Sequence, residues 1–174
     1  MRKILWLVCL LPMTVMAADP DSTVPFPRGE FFGGYSYFHA GAGGGNFSGV
    51  DGSIAENLRP WFGGALEVSS HWNSGTNVST FMYGPVFSYR KNPRITPFVH
   101  FLAGGVRGSV GYLDISHSKT TFGVAPGGGV DVQVTRNLAV RVVEVDYVLS
   151  RFSGTQQSNF RVSAGLVYRF GFRK

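Results

Sequence analysis

The segment Asn159–Phe170 (NFRVSAGLVYRF) puts Phe160, Val162, Ala164, Leu166, Tyr168 and Phe170 on one face. Arg161, Ser163, Gly165, Val167 and Arg169 fall on the other. Side chains along a strand alternate between two faces, so this period of two is the pattern of a strand with one apolar surface. A helix, with 3.6 residues per turn, would scatter both sets around its axis. The same alternation predicts seven more strands: Glu30–Phe38, Phe47–Glu56, Trp61–Trp72, Ser79–Arg90, Thr96–Ser109, Thr120–Val134 and Leu138–Ser150. Their connections alternate in kind. Asn57–Pro60, Lys91–Arg94 and Thr135–Asn137 are tight, whereas His39–Asn46, Asn73–Val78, Val110–Lys119 and Arg151–Ser158 are longer and polar. Tight turns at one end and longer loops at the other give an antiparallel up-and-down barrel with an even strand count.

Eight alternating strands can close with the apolar face inward, as in a soluble ligand-binding barrel, or outward, as in a membrane barrel. Side-chain volume decides between the two. An eight-stranded lumen takes only modest side chains. The bulky face of Ser79–Arg90 carries Phe81, Tyr83, Pro85, Phe87 and Tyr89, opposite Gly84, Val86, Ser88 and Arg90. In the first strand Tyr35 and Tyr37 oppose Gly34 and Ser36. The bulky face is therefore expected outside, in lipid, and the small and charged face inside. Trp61, Phe62, Trp72, Tyr89, Phe152, Tyr168 and Phe170 recur near strand ends, as interfacial girdles do. Charged residues make up 15% of the chain, well under the roughly 25% usual in soluble domains, which counts against a soluble β-sandwich.

Residues 1–17 read as a signal peptide: Arg2 and Lys3, then the apolar run Ile4–Leu11, then a cut after Ala17. The run is too short to cross a bilayer as a helix. It also holds the only cysteine, Cys9, so the mature chain is expected to form no disulfide. Residues 18–28 are a polar, Pro-rich extension, and the barrel is expected over 29–174. Without Arg2 and Lys3 the chain keeps 14 Lys and Arg against 10 Asp and Glu, with no basic run. A nucleic-acid partner is not expected.

Three features together carry a resemblance. Gly33–Tyr37 (GGYSY) opens the first strand. Gly127–Phe152 looks like a penultimate hairpin with its Asp146-Tyr147 pair. Ser163, Gly165, Tyr168 and Phe170 have the spacing of a final-strand signal. The chain so resembles the small outer-membrane β-barrel family, OmpA-like in its transmembrane part. The resemblance implies an all-β, eight-stranded antiparallel up-and-down transmembrane β-barrel in a bacterial outer membrane. It implies outer-membrane lipid and lipopolysaccharide as surroundings. It further implies recognition of Ser163, Gly165, Tyr168 and Phe170 by the barrel-assembly machinery. In that family the aromatic usually ends the chain; here Gly171–Lys174 follow, so either Phe172 takes the role or the signal lies slightly internal.

The charges of the apolar hairpin Gly127–Tyr147 need a dry-side explanation. With a tight turn at Thr135–Asn137, Asp131 stands opposite Arg141 on one face, and the two are expected to pair inside the lumen. Glu144 and Asp146 have the opposite parity to Arg141. A β-bulge near Val142-Val143 would turn both inward and leave Val145, Tyr147 and Leu149 outside. Arg161 and Arg169 on the next strand are their expected partners, and Glu67, Arg90 and His100 also have inward parity.

Such a network either plugs the lumen, giving a structural or loop-binding protein, or forms a narrow ion path. A lipid A-modifying enzyme is a third reading, but it needs a His/Ser pair at the outer rim. Ser70 and His71 are neighbours on a strand and point to opposite faces, while Ser69 and His71 share the inward one. No catalysis, cofactor or metal is expected. His39, His71, His100 and His117 lack the i,i+2 or i,i+4 partner of a ligand pair.

Overall fold

The computed structural model describes residues 25–41, 45–73, 75–112, 115–152 and 155–173. The expected signal peptide and most of the Pro-rich extension lie outside these residues. Among them are eight strands and no helix: β1 (Phe26–Ala40), β2 (Asn46–Asn57), β3 (Phe62–Asn73), β4 (Thr76–Ser88), β5 (Ile95–Tyr112), β6 (Ile115–Gln133), β7 (Leu138–Phe152) and β8 (Thr155–Arg173). Each pairs antiparallel with the next, and β1 pairs with β8, so the sheet closes. Closure leaves no unpaired edge, the condition for a sheet to sit in lipid.

The outside is what the alternation predicts. Phe31, Tyr35, Val50, Ile54, Val68, Phe81, Tyr83, Phe101, Phe122, Leu166 and Tyr168 are all exposed. Many of these rings lean on one another: Phe31 stacks on Phe170 at 5.2 Å between centroids, and Tyr147 meets Phe160 at 4.9 Å. A surface this apolar belongs to a transmembrane barrel. The start of β1, the end of β8 and the turns Leu58–Trp61, Tyr89–Arg94 and Val134–Asn137 share one end.

The longer connections are mostly strand. β5 continues to Tyr112 and β6 begins at Ile115, so the expected loop Val110–Lys119 is a hairpin. Likewise β3 and β4 reach Asn73 and Thr76, β1 and β2 reach Ala40 and Asn46, and β7 and β8 reach Phe152 and Thr155. Backbone hydrogen bonds hold a ladder whatever the side chains are, so polar residues beyond the apolar belt kept the strand and lost only the alternation. At the start of the chain, β1 begins at Phe26, before the expected boundary at Gly29.

The lumen also departs from expectation. It holds large apolar side chains as well as small and charged ones. Phe38, Phe47, Met82, Leu102, Val106, Ala125 and Val148 form one buried cluster, and Phe32, Ala139 and Val167 form another. Inward glycines leave the room: a Cβ on Gly123 would stand 2.7 Å from Val106 Cγ2, and one on Gly129 3.0 Å from Phe98 Cζ. Large and small residues thus interleave within the same narrow bore.

The register of β7 shifts where the charge pattern requires it. Val130 faces Val143, yet the next residue of β6, Asp131, faces Arg141, so β7 carries one extra residue at Val142. On the other side Arg141 faces Gly165 and Glu144 faces Ser163, the same one-residue excess. Val142 and Val143 are both exposed to the outside, while Arg141, Glu144 and Asp146 are all buried within. The bulge is therefore a phase correction that lets two out-of-step charge sets share one face. Deleting Val142 and Val143 together makes Glu144 the next residue after Arg141 and should turn Glu144 and Asp146 toward lipid, each at a cost below the roughly 2–4 kcal/mol of a midplane Arg or Lys. The expected result is loss of the folded, faster-migrating band in unheated gels after refolding into vesicles. Val142→Ala should keep that band.

Candidate functional site

The alternation that makes the wall apolar delivers every second side chain to the bore, and the inward set contains an extended ion-pair network. Arg161 on β8 is its hub, with none of its side chain exposed to solvent. Its Nη2 donates to Asp146 Oδ2 at 2.7 Å and to Glu67 Oε1. Its Nε donates to Asp146 Oδ2 at 2.9 Å, and Nη1 donates to Ser69 Oγ at 3.2 Å. Asp51 Oδ2 stands 3.7 Å from Nε. Guanidinium geometry suits this role, since its five donors fan out in one plane toward several acceptors.

Arg141 holds the next level. It donates from Nε to Asp131 Oδ1 at 2.9 Å and from Nη1 to Glu144 Oε2 at 3.1 Å. The rings of Phe32 and Phe98 lie 4.4 and 4.3 Å from its guanidinium carbon. The cation is thus held by carboxylates in its plane and by aromatic faces. His100 links the two levels: Nε2 is 2.6 Å from Asp146 Oδ1, and Nδ1 is 3.6 Å from Glu144 Oε1. That contact exists because residue 127 is glycine. A Cβ there would overlap Asp146 Oδ1 and stand 2.7 Å from His100 Nε2.

Nearer the termini, Arg169 Nη2 donates to Asp131 Oδ2 at 3.2 Å, and its Nε is 3.6 Å from Glu30 Oε1. Arg90 Nη2 donates to Glu30 Oε1 at 2.7 Å. Of the expected pairings, Asp131–Arg141 and Asp146–Arg161 are in contact, and Glu67 and His100 join them. Arg169 does not reach Glu144 or Asp146. It sits closer to the end of β8, at the level of Asp131 and Glu30, because Leu138 near the start of β7 faces Tyr168.

Several members were not foreseen. Ser163 Oγ lies 3.0 Å from Asp51 Oδ2 and 2.9 Å from Ser36 Oγ, which is 2.8 Å from His71 Nε2. A hydrogen-bonded chain so crosses from β2 to β8, β1 and β3. Asp51 was legible in principle, since it alternates with Val50 and Ile54, which are both exposed. Ser69 Oγ and Thr80 Oγ1 are 2.7 Å apart in the lumen, so Ser69 is committed to the network rather than to His71.

Of the proposed assembly signal, Ser163 faces the lumen while Tyr168 and Phe170 face outward. β8 changes course at Gly171, whose φ of +66° is a conformation that residues with a Cβ rarely adopt. Phe172 then packs under Arg136, 5.2 Å from ring centroid to guanidinium carbon. His39 Nδ1 is 2.7 Å from Asn46 Oδ1 at the far end, and the side chain of His117 lies outside the described residues.

Among the described residues one ligand-like grouping occurs. Donor atoms of Glu67, His100, Glu144 and Asp146 all lie within 4.8 Å of one another. Each of the three carboxylates already accepts from Arg161 or Arg141, so a cation entering here would have to displace a guanidinium. The chemistry of the arrangement is mutual charge satisfaction in a confined space.

Arg161→Met removes the hub and leaves three acids facing each other. A loss of about 3–5 kcal/mol is expected, read from urea midpoints of the barrel in vesicles. Arg161→Lys should recover only part, since one ammonium cannot span Asp146, Glu67 and Ser69 together. Gly127→Ala should cost roughly 1–3 kcal/mol through overpacking, read from the same urea titration.

No family model matches the sequence, and no curated protein does. Solved structures do. Neisserial surface protein A superposes with a TM-score of 0.70 at 15% identity, covering 82% of this chain and 97% of that one. The N-terminal β-barrel domain of Pseudomonas aeruginosa OprF gives 0.59 at 14%, covering 84% and 100%. The attachment invasion locus protein Ail of Yersinia pestis gives 0.56 at 15%, covering 82% and 99%. With its closed eight-stranded wall, apolar exterior and charged bore, this chain has the fold of the small outer-membrane β-barrels.

Proposed function

We propose that the protein is a closed outer-membrane barrel, with its termini and tight turns in the periplasm, whose role is structural or surface-binding rather than catalytic or conductive. The observation that carries this reading is the filling of the bore. The Arg161 and Arg141 networks occupy two adjoining levels, and the cluster around Phe38, Met82 and Leu102 packs beside them. A cavity of about 30 Å³ remains between Glu67, His100, Glu144 and Arg141, room for one or two waters rather than a hydrated ion. Ser69 and His71 being tied into lumen contacts supports the non-catalytic part.

A binding role at the far end draws on the long hairpins. β5 and β6 have 18 and 19 residues, where roughly 9–11 suffice to cross a bilayer. Their outer thirds therefore stand clear of lipid and carry the exposed cations Arg107 and Lys119. Lipopolysaccharide phosphates are the natural contact for such side chains.

Planar-bilayer recording tests the closed state. The expected trace for the refolded mature chain is flat, with no steady open level. A steady conductance that changes on Asp131→Asn or Arg141→Gln would establish a pore instead.

A further inference from the structure

Charge in this molecule is sorted by side of the wall. Glu30, Asp51, Glu67, Asp131, Glu144 and Asp146 are all buried. Among the described residues Glu56 is the one exposed acid, and Arg28 already holds it at 3.3 Å. At the end that carries the termini, six cations are exposed: Arg28, Arg59, Lys91, Arg94, Arg136 and Arg173. They come from the start of β1, from each of the three turns and from the end of β8, so they surround the whole rim.

Aromatic neighbours set the depth of two of them. The Arg136 guanidinium carbon lies 5.2 Å from the Phe172 ring centroid, and Lys91 Nζ 6.0 Å from that of Tyr89. Arg59 shares its turn with Trp61, which stacks on Phe87 at 6.2 Å. Exposed Trp and Tyr at the edge of an apolar belt lie at headgroup level, so cations resting on them stand where lipid phosphates stand. A docked protein covers one side of a barrel. A ring of charge facing all directions matches a lipid annulus, which surrounds it.

We infer that this basic ring selects anionic phospholipids, through their phosphates, in the leaflet that borders it. The inference rests on the membrane placement proposed above and adds a lipid preference to it. Its physical basis is Coulomb attraction at a low-dielectric boundary, strengthened by charge-assisted hydrogen bonds to phosphate oxygens.

Trp61 lies in this rim and serves as the reporter. The mature chain with Trp72→Phe is refolded into phosphatidylcholine vesicles doped with brominated phosphatidylglycerol or brominated phosphatidylcholine. Quenching of Trp61 by the anionic lipid should correspond to a relative association constant about three- to ten-fold above that of the neutral lipid at low salt. The preference should fall toward one in 0.5 M salt and in R59Q/K91Q/R94Q, whose substitutions all lie in exposed turns. Equal quenching by the two lipids overturns the inference while leaving membrane insertion intact. So does a preference that survives both the salt and the triple variant. Quenching by neither lipid would instead sink the membrane placement itself. Equal quenching accompanied by salt-sensitive capture of soluble polyglutamate would hand the ring to an acidic periplasmic protein.

Discussion

The bore of an eight-stranded barrel is too narrow to hydrate a charge and too closed to expel one, so every ionised group inside must be answered by another. That constraint organises the molecule. It places Arg161 among Asp146, Glu67 and Asp51, and Arg141 between Asp131 and Glu144. It also explains the small residues nearby, since the His100–Asp146 contact requires residue 127 to lack a Cβ. The lipid outside imposes the complementary rule, that no charge may cross to the other face. Strand parity alone cannot satisfy both rules along β7, and the extra residue at Val142 reconciles them.

Buried ion pairs of this kind stabilise less than their number implies, because desolvation offsets much of the attraction. Their stronger effect is on specificity. A slip of one residue in a strand that carries an inward charge would bring that charge to lipid and leave its partner alone in the bore. The network so fixes register around the whole wall, while the apolar belt provides the affinity for the bilayer. The aromatic contacts that flank Arg141 join the network to the packed interior, since Phe32 and Phe98 fill the bore and also hold its cation.

Much of this was legible in the sequence because period two is a strong signal where one face must be apolar. Asn159–Phe170 announced its strand, and the conflict of phase between Arg141 and Glu144 announced the bulge. The signal failed where its cause stopped. Beyond the belt neither face of β5 and β6 has to be apolar, alternation disappears, and Val110–Lys119 looked like a loop although its backbone remains paired. It failed again inside, where volume is set by the sum over neighbouring strands. Val106 and Met82 fit because Gly123 opens the bore beside them, and no single strand reveals that balance. The partners of Arg169 were likewise invisible, since depth along the bore depends on the stagger between β7 and β8.

The span of the network across the bore has a consequence for assembly. Neighbouring strands can form as local hairpins, each closing a short stretch of chain. Arg161, however, meets Glu67 94 residues away and Ser69 92 away, across the lumen from its own strand. Those contacts are unavailable to an open, growing sheet and come into being only when β8 meets β1. Until that moment Arg161 has Asp146 of the neighbouring strand, but Glu67 and Asp51 stand uncompensated, so a half-built wall gains little from stopping short. The final seam between first and last strand is therefore the step that releases the stored electrostatic drive, and folding acquires the character of a latch that engages once.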